Sequence, residues 1–260
     1  MKLRWLLNFP ASCLHAAEAV AHGRLVADPR MAEAIAEPAQ VLRQCIVTAG
    51  LPRGLFWRNL TGLAPLTDNP SQLAEMAITK TIGAAQVAPL ADEITAAIAG
   101  VETAVRHRIP SLMEDLQLRI RPLKEQWEAR GPGLLSSLAR WTDPQILAEE
   151  ANVVLVHPSL GGGGSAHIPY NNVLLEAVLT NPLAELPETL RLAWLLSQLN
   201  LDLPKFCETI PGNHLPQVAE LAMIPVTLRA AEDLELLRLS PETIDLALSN
   251  WQIVNASDID

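Results

Sequence analysis

The sequence predicts an α+β fold, mainly helical, with a small sheet packed on helices. Three observations carry that reading. From Ser12 to about Arg140, Ala, Leu, Glu and Arg recur at three- and four-residue spacing, with Pro or Gly at the ends of the runs. That is the period of helices with one apolar face. Val153 to Val156 is too short and too β-branched for a helix and reads as a strand. From Gly161 to Asn200 the texture then runs glycine loop, second apolar strand, helix.

Short helices are predicted first, over Ser12–His22, Met31 to about Glu37, and Pro38–Thr48. Pro29 and Pro38 fall near first turns and Gly50 follows the last helix, the positions where each residue costs least. Gly50–Pro65 is rich in turn formers and reads as a connection. Asn69-Pro70-Ser71 opens a helix through about Val87, and Pro89 opens another whose Ile94, Ile98, Val101 and Val105 share a face. A third long helix spans Ser111–Ala129, tolerating or kinking at Pro122. Arg130-Gly131-Pro132-Gly133 is expected to break it, because two glycines around a proline are poor helix formers. Gly133–Trp141 and Gln145–Ala151 then read as short helices.

Val173–Leu179 is apolar on both sides except at Glu176, the pattern of a buried strand, although periodicity alone leaves it ambiguous. Beyond Cys207, Pro211 and Pro216 mark a connection to helices over Gln217–Ile224 and Val226–Arg238. Ser240-Pro241 supplies N-cap and first turn for a last helix through about Trp251, and the tail from Asn255 is expected to fray. One domain accommodates all of this. So does a division into a helical portion, 1–110, and an α+β portion, 111–260.

Composition removes several classes of function. With 29 acidic against 19 basic residues the net charge is −10, so the chain lacks the basic surface that nucleic acid or an anionic membrane would require. No segment reaches the roughly 18 uninterrupted apolar residues of a membrane span. Near the start, Trp5-Leu6-Leu7 is cut short by Asn8 and Pro10, too brief for a secretory signal core. Cys13, Cys45 and Cys207 are odd in number and form no CxxC pair, so a reducing compartment, the cytoplasm, is expected.

The glycine loop attracts the chemical candidates. Gly161, Gly163 and Ala166 match the relaxed dinucleotide fingerprint, but His157 to Leu160 intervene before the loop and Pro169 follows it, where that motif needs strand and helix directly adjoining. Ser165 stands beside His167, yet no GxSxG elbow occurs. His15, Glu18 and His22 share a helical face. His157 and His167 flank the loop, and a hairpin could join them, with His214 or Glu176 completing a metal set. There is no HExxH and no ExxH. Trp127, Trp141, Trp194 and Trp251 fall on predicted helices as core residues, leaving Tyr170 as the aromatic placed for contact with a ligand.

The order long helix, RGPG, short helices, strand VVLV, glycine loop, strand VLLEAVL and helix LPETLRLAWLLSQLN, about residues 111 to 200, resembles the core of a zincin-type metallopeptidase. The resemblance rests on element order. It implies an edge strand along which substrate lies, followed by an active-site helix bearing HExxH, two zinc ligands and a general base. In the best register Trp194, Leu195 and Gln198 stand where His, Glu and His belong. Indole cannot ligate zinc, leucine cannot take a proton, and glutamine is a poor zinc ligand.

The sequence therefore predicts a non-catalytic binding or structural protein on a zincin-like scaffold without zinc ligands, with no catalytic residue, cofactor or metal assigned. Its expected binding groove comprises His157, Gly162, Gly163, His167, Tyr170, Arg191, Trp194 and Gln198, facing an extended peptide or protein segment added to a strand edge. One alternative is a metal-dependent hydrolase using His157 and His167. Another is an oligomeric helical scaffold, suggested by the dense leucine content; the sequence leaves the oligomeric state open.

Overall fold

The computed structural model describes residues 1–178, 183, 185–212 and 214–253, so Leu179 and the tail from Asn255 lie outside the described residues. The fold is α+β and mainly helical, with a small mixed sheet. In chain order come β1 (Lys2–Leu7), α1 (Phe9–Ala21), α2 (Pro29–Thr48), α3 (Arg53–Leu63), α4 (Pro70–Ile82), α5 (Val87–Arg108) and α6 (Leu112–Trp141). There follow β2 (Glu150–Val156), β3 (Gly164–His167), β4 (Asn172–Glu176), α7 (Glu188–Leu196), α8 (Pro204–Cys207), α9 (Leu215–Asp233) and α10 (Pro241–Asn250). Among the described residues the sheet order is β1-β2-β4-β3.

The chain forms two compact units. A helical unit takes Leu6–Gln117 and Val154–Gly161; a sheet unit takes Met1–Trp5, Leu118–Val153 and the described residues from Gly162 onward. In the helical unit α2 and α4 pack on α5, and α1 on α2. The face expected on α5 is buried at Ile94, Ile98, Val101 and Val105. Asn8, Asp28 and Asn69 cap α1, α2 and α4 by accepting backbone N–H groups. In the sheet unit α7 packs on β3, β4 and α9, and α10 packs on α9.

Several boundaries differ from the sequence expectation, and most share one cause. Helices continue through Pro38, through Pro132 and through Pro225, while the passage of α6 through Pro122 is one the sequence allowed. In α2 the buried stripe Met31, Ile35, Ala39, Leu42 and Ile46 keeps its three-four spacing across the proline. In α6 the stripe Leu116, Leu123, Trp127, Leu134 and Leu138 likewise runs through the RGPG segment without a change of phase. A stripe in register buries enough apolar surface to outweigh the lost hydrogen bond at each proline. The segment read as a connection forms α3, burying Phe56, Trp57, Leu60 and Leu63 at helical spacing. Conversely, the expected helix Gln145–Ala151 is a single tight turn, Pro144–Ile146, followed by β2. The opening residues form β1.

Candidate functional site

In the sheet unit the site is organised around β3, which the sequence hid inside the glycine tract. β3 runs antiparallel to β4, pairing Gly164 with Leu175, Ser165 with Leu174, Ala166 with Val173 and His167 with Asn172. Among the described residues it ends the sheet order opposite β1, so β3 is an edge strand and the Val173-containing strand β4 lies inside. The Glu176 N–H donates to the Gly163 carbonyl at 3.2 Å, which sets the phase of the ladder. In that phase Ser165 and His167 direct their backbone groups inward to β4, while Gly164 and Ala166 direct theirs outward. Side chains alternate with the same two-residue period, but between the two faces of the sheet. A Cβ on Gly164 would come within 2.8 Å of Leu195 Cδ1 and of the Leu174 carbonyl oxygen, so only glycine lets β3 lie this close to α7.

The glycines before β3 form an anion cradle that is already filled. Glu176 Oε2 accepts the N–H groups of Gly162 and Gly163 at 2.8 and 2.9 Å. Gly162 has φ of 151°, and a Cβ there would approach the Asn250 carbonyl oxygen to 3.2 Å. The tract is therefore a receptor for a carboxylate of the chain itself rather than for a phosphate. Arg191 closes the other side: Nη1 donates to the Gly163 carbonyl at 2.9 Å, Nη2 to the Glu176 carbonyl at 2.8 Å and to the Glu188 carboxylate. Arg191 is 1% exposed. Burial draws its pKa down against the pull of Glu188 and Glu176. Burial also pushes the Glu188 carboxyl up, opposed by Arg191 and reinforced by Glu176. Two carboxylates around one guanidinium make a buried ionic knot.

The residues of and just beyond α7 on which the zincin resemblance turned are equally committed. Trp194 donates its indole N–H to the Glu220 carbonyl at 2.9 Å and stacks on Trp251 with ring centroids 5.0 Å apart. Gln198 lies just past the end of α7 and donates to the Trp194 carbonyl at 3.1 Å. Trp194 and Gln198 are each 2% exposed and Leu195 is fully buried. The groove expected over Arg191, Trp194 and Gln198 is thus corrected: that surface is core, filled by the partners just named. Tyr170 is half-buried, and burial raises its phenol.

His167 is 2% exposed, and its Nε2 lies 3.0 Å from Ser165 Oγ. His157 belongs to the helical unit. Its backbone N–H donates to Ser12 Oγ at 3.2 Å and its Nε2 meets Asp28 Oδ2 at 2.8 Å. Burial pushes the Asp28 carboxyl up, but the Arg30 N–H and guanidinium together with His157 outweigh it and leave the pKa low. The two histidines thus carry different partners in different units. Among the described residues no three His, Cys, Asp or Glu side chains gather in an arrangement that could hold a metal. Glu176, expected only as a possible metal ligand, instead fills the glycine cradle. Its signal was present as the single charge in an apolar strand following four glycines. Ser165 as a strand residue, and Asp28 as the partner of His157, carried no such signal.

No family model, no curated protein and no solved structure matches this chain. Among the described residues no helix is long and apolar enough to cross a membrane.

Proposed function

We propose that the chain is a non-catalytic binding protein on a zincin-like scaffold without zinc ligands, taking an extended peptide along β3. The observation that carries this reading is the outer edge of β3: the N–H and C=O of Gly164 and Ala166 point away from β4. Two supports accompany it. β3 reads Gly-Ser-Ala-His, with none of the lysines or prolines that blunt an idle edge. It also packs on α7, where the metallopeptidase arrangement would place zinc and here Trp194, Leu195 and Gln198 stand. Added-strand binding draws its affinity from backbone hydrogen bonds and needs no catalytic group. The three free cysteines accord with work in the cytoplasm.

Ala166→Pro tests the reading. Proline removes an N–H that faces outward, so the β3–β4 ladder keeps its bonds. Wild-type protein should select binders from a random heptapeptide library displayed on phage, and their synthetic forms should bind by calorimetry. Ala166→Pro, with a thermal midpoint near wild type, should lose them at least tenfold. Equal binding by Ala166→Pro would overturn the proposal.

A further inference from the structure

We infer that Ser165 is the specificity-determining residue of the β3 edge, and that it selects a serine or threonine on the incoming peptide; this rests on the peptide-binding reading above. The phase of the ladder dictates where selection can occur. An antiparallel segment that bonds the outward groups of Gly164 and Ala166 must place one residue directly opposite Ser165. Because Ser165 bonds inward to β4, that outer pair is of the non-hydrogen-bonded kind, with Cα atoms about 4.5 Å apart and side chains at their closest. Gly164 has no side chain and Ala166 only a methyl, so the α7 side of β3 offers little to discriminate with. Ser165 and His167 lie on the other face, joined through Oγ and Nε2 at 3.0 Å.

That bond uses part of the hydroxyl's capacity and leaves the rest for a neighbour. A serine hydroxyl has one proton and two lone pairs. If Ser165 donates to His167, it can accept from the peptide; if the imidazole donates to Ser165, the hydroxyl proton turns to the peptide. A hydroxyl on the incoming residue suits both states, since it donates and accepts alike. An apolar side chain in its place would shut the remaining capacity of Ser165 away from water without a partner, which costs free energy. His167 is 2% exposed and its Nε2 lies 3.0 Å from Ser165 Oγ, so it acts as a positioning residue.

The test sequences the peptides that wild type and Ser165→Ala each select from the random heptapeptide library on phage. On wild type, one position should be enriched in Thr and Ser; on Ser165→Ala, that position alone should lose its preference. Calorimetry with a selected peptide and its Thr→Val isostere should show a preference of about two- to fivefold on wild type, the range of a cross-strand hydroxyl pair. On Ser165→Ala the preference should collapse. The inference is overturned if wild type shows no hydroxyl position, or if the Thr preference survives in Ser165→Ala. Binders that are indifferent to Ala166→Pro, or no binders at all, would instead remove the edge-binding reading on which it stands.

Discussion

Gly131 and Gly133 lie on either side of a proline inside α6, whereas Gly161 to Gly163 lie in the loop between β2 and β3. Both stretches invite the same sequence reading, a break in regular structure, and each does something else. In α6 the glycines make room: a Cβ on Gly131 would overlap the Trp127 indole, and one on Gly133 would come 2.7 Å from Leu234 Cδ2. In the loop they lend backbone: φ is 80° at Gly161 and 151° at Gly162, and the amides of Gly162 and Gly163 hold Glu176. One segment uses the missing side chain and the other uses the backbone N–H. Glycine content alone does not distinguish them; the neighbouring apolar phase and the nearest charge do.

The largest effect should come from the anion in the cradle. Glu176→Ala removes the carboxylate that Gly162 and Gly163 bind and leaves Arg191 buried with Glu188 as its remaining carboxylate. Breaking a buried ionic group in this way costs about 3–5 kcal/mol. Urea unfolding of the variant should show that loss. A loss below about 1 kcal/mol would mean that water, and not Arg191 and the amides, compensates Glu176.

Gly131→Ala sharpens the contrast by its sign. If Gly131 were merely a weak point in a helix, alanine would stabilise α6 by about 1 kcal/mol. Because the indole of Trp127 occupies the space, and Trp127 is 6% exposed, alanine must displace a large buried ring. Overpacking of this kind costs about 1–3 kcal/mol. A lowered urea midpoint supports the packing role of Gly131, and a raised one would return it to the class of tolerated breakers.

The same contrast explains what was legible in the sequence. The helical class, α5 with its face and β2 were readable because period and β-branching act locally, whereas period alone left β4 ambiguous. The continuity of α6 was readable in principle, since Leu116, Leu123, Trp127, Leu134 and Leu138 never lose phase, but propensity at RGPG points the other way and tertiary packing overrides it. β3 was not readable. Gly-Ser-Ala-His has no strand propensity, and its place is set by β4 and by the close approach of Leu195 to Gly164. At the site, the burial of Trp194, Leu195 and Gln198 was not readable. It depends on Trp251 and the Glu220 carbonyl, far along the chain.

Gly133→Ala should give the smallest effect, and its smallness is informative. The added methyl would meet Leu234 Cδ2 at 2.7 Å, the far end of a flexible side chain at the end of α9. Leu234 can turn to another rotamer at a cost of about 1 kcal/mol. The gain in helix propensity is about the same size. The two terms oppose each other, so the urea midpoint should stay within about 0.5 kcal/mol of wild type, against the clear loss at Gly131. Two glycines separated by one proline on one helix would then differ because a ring cannot move aside and a leucine tip can.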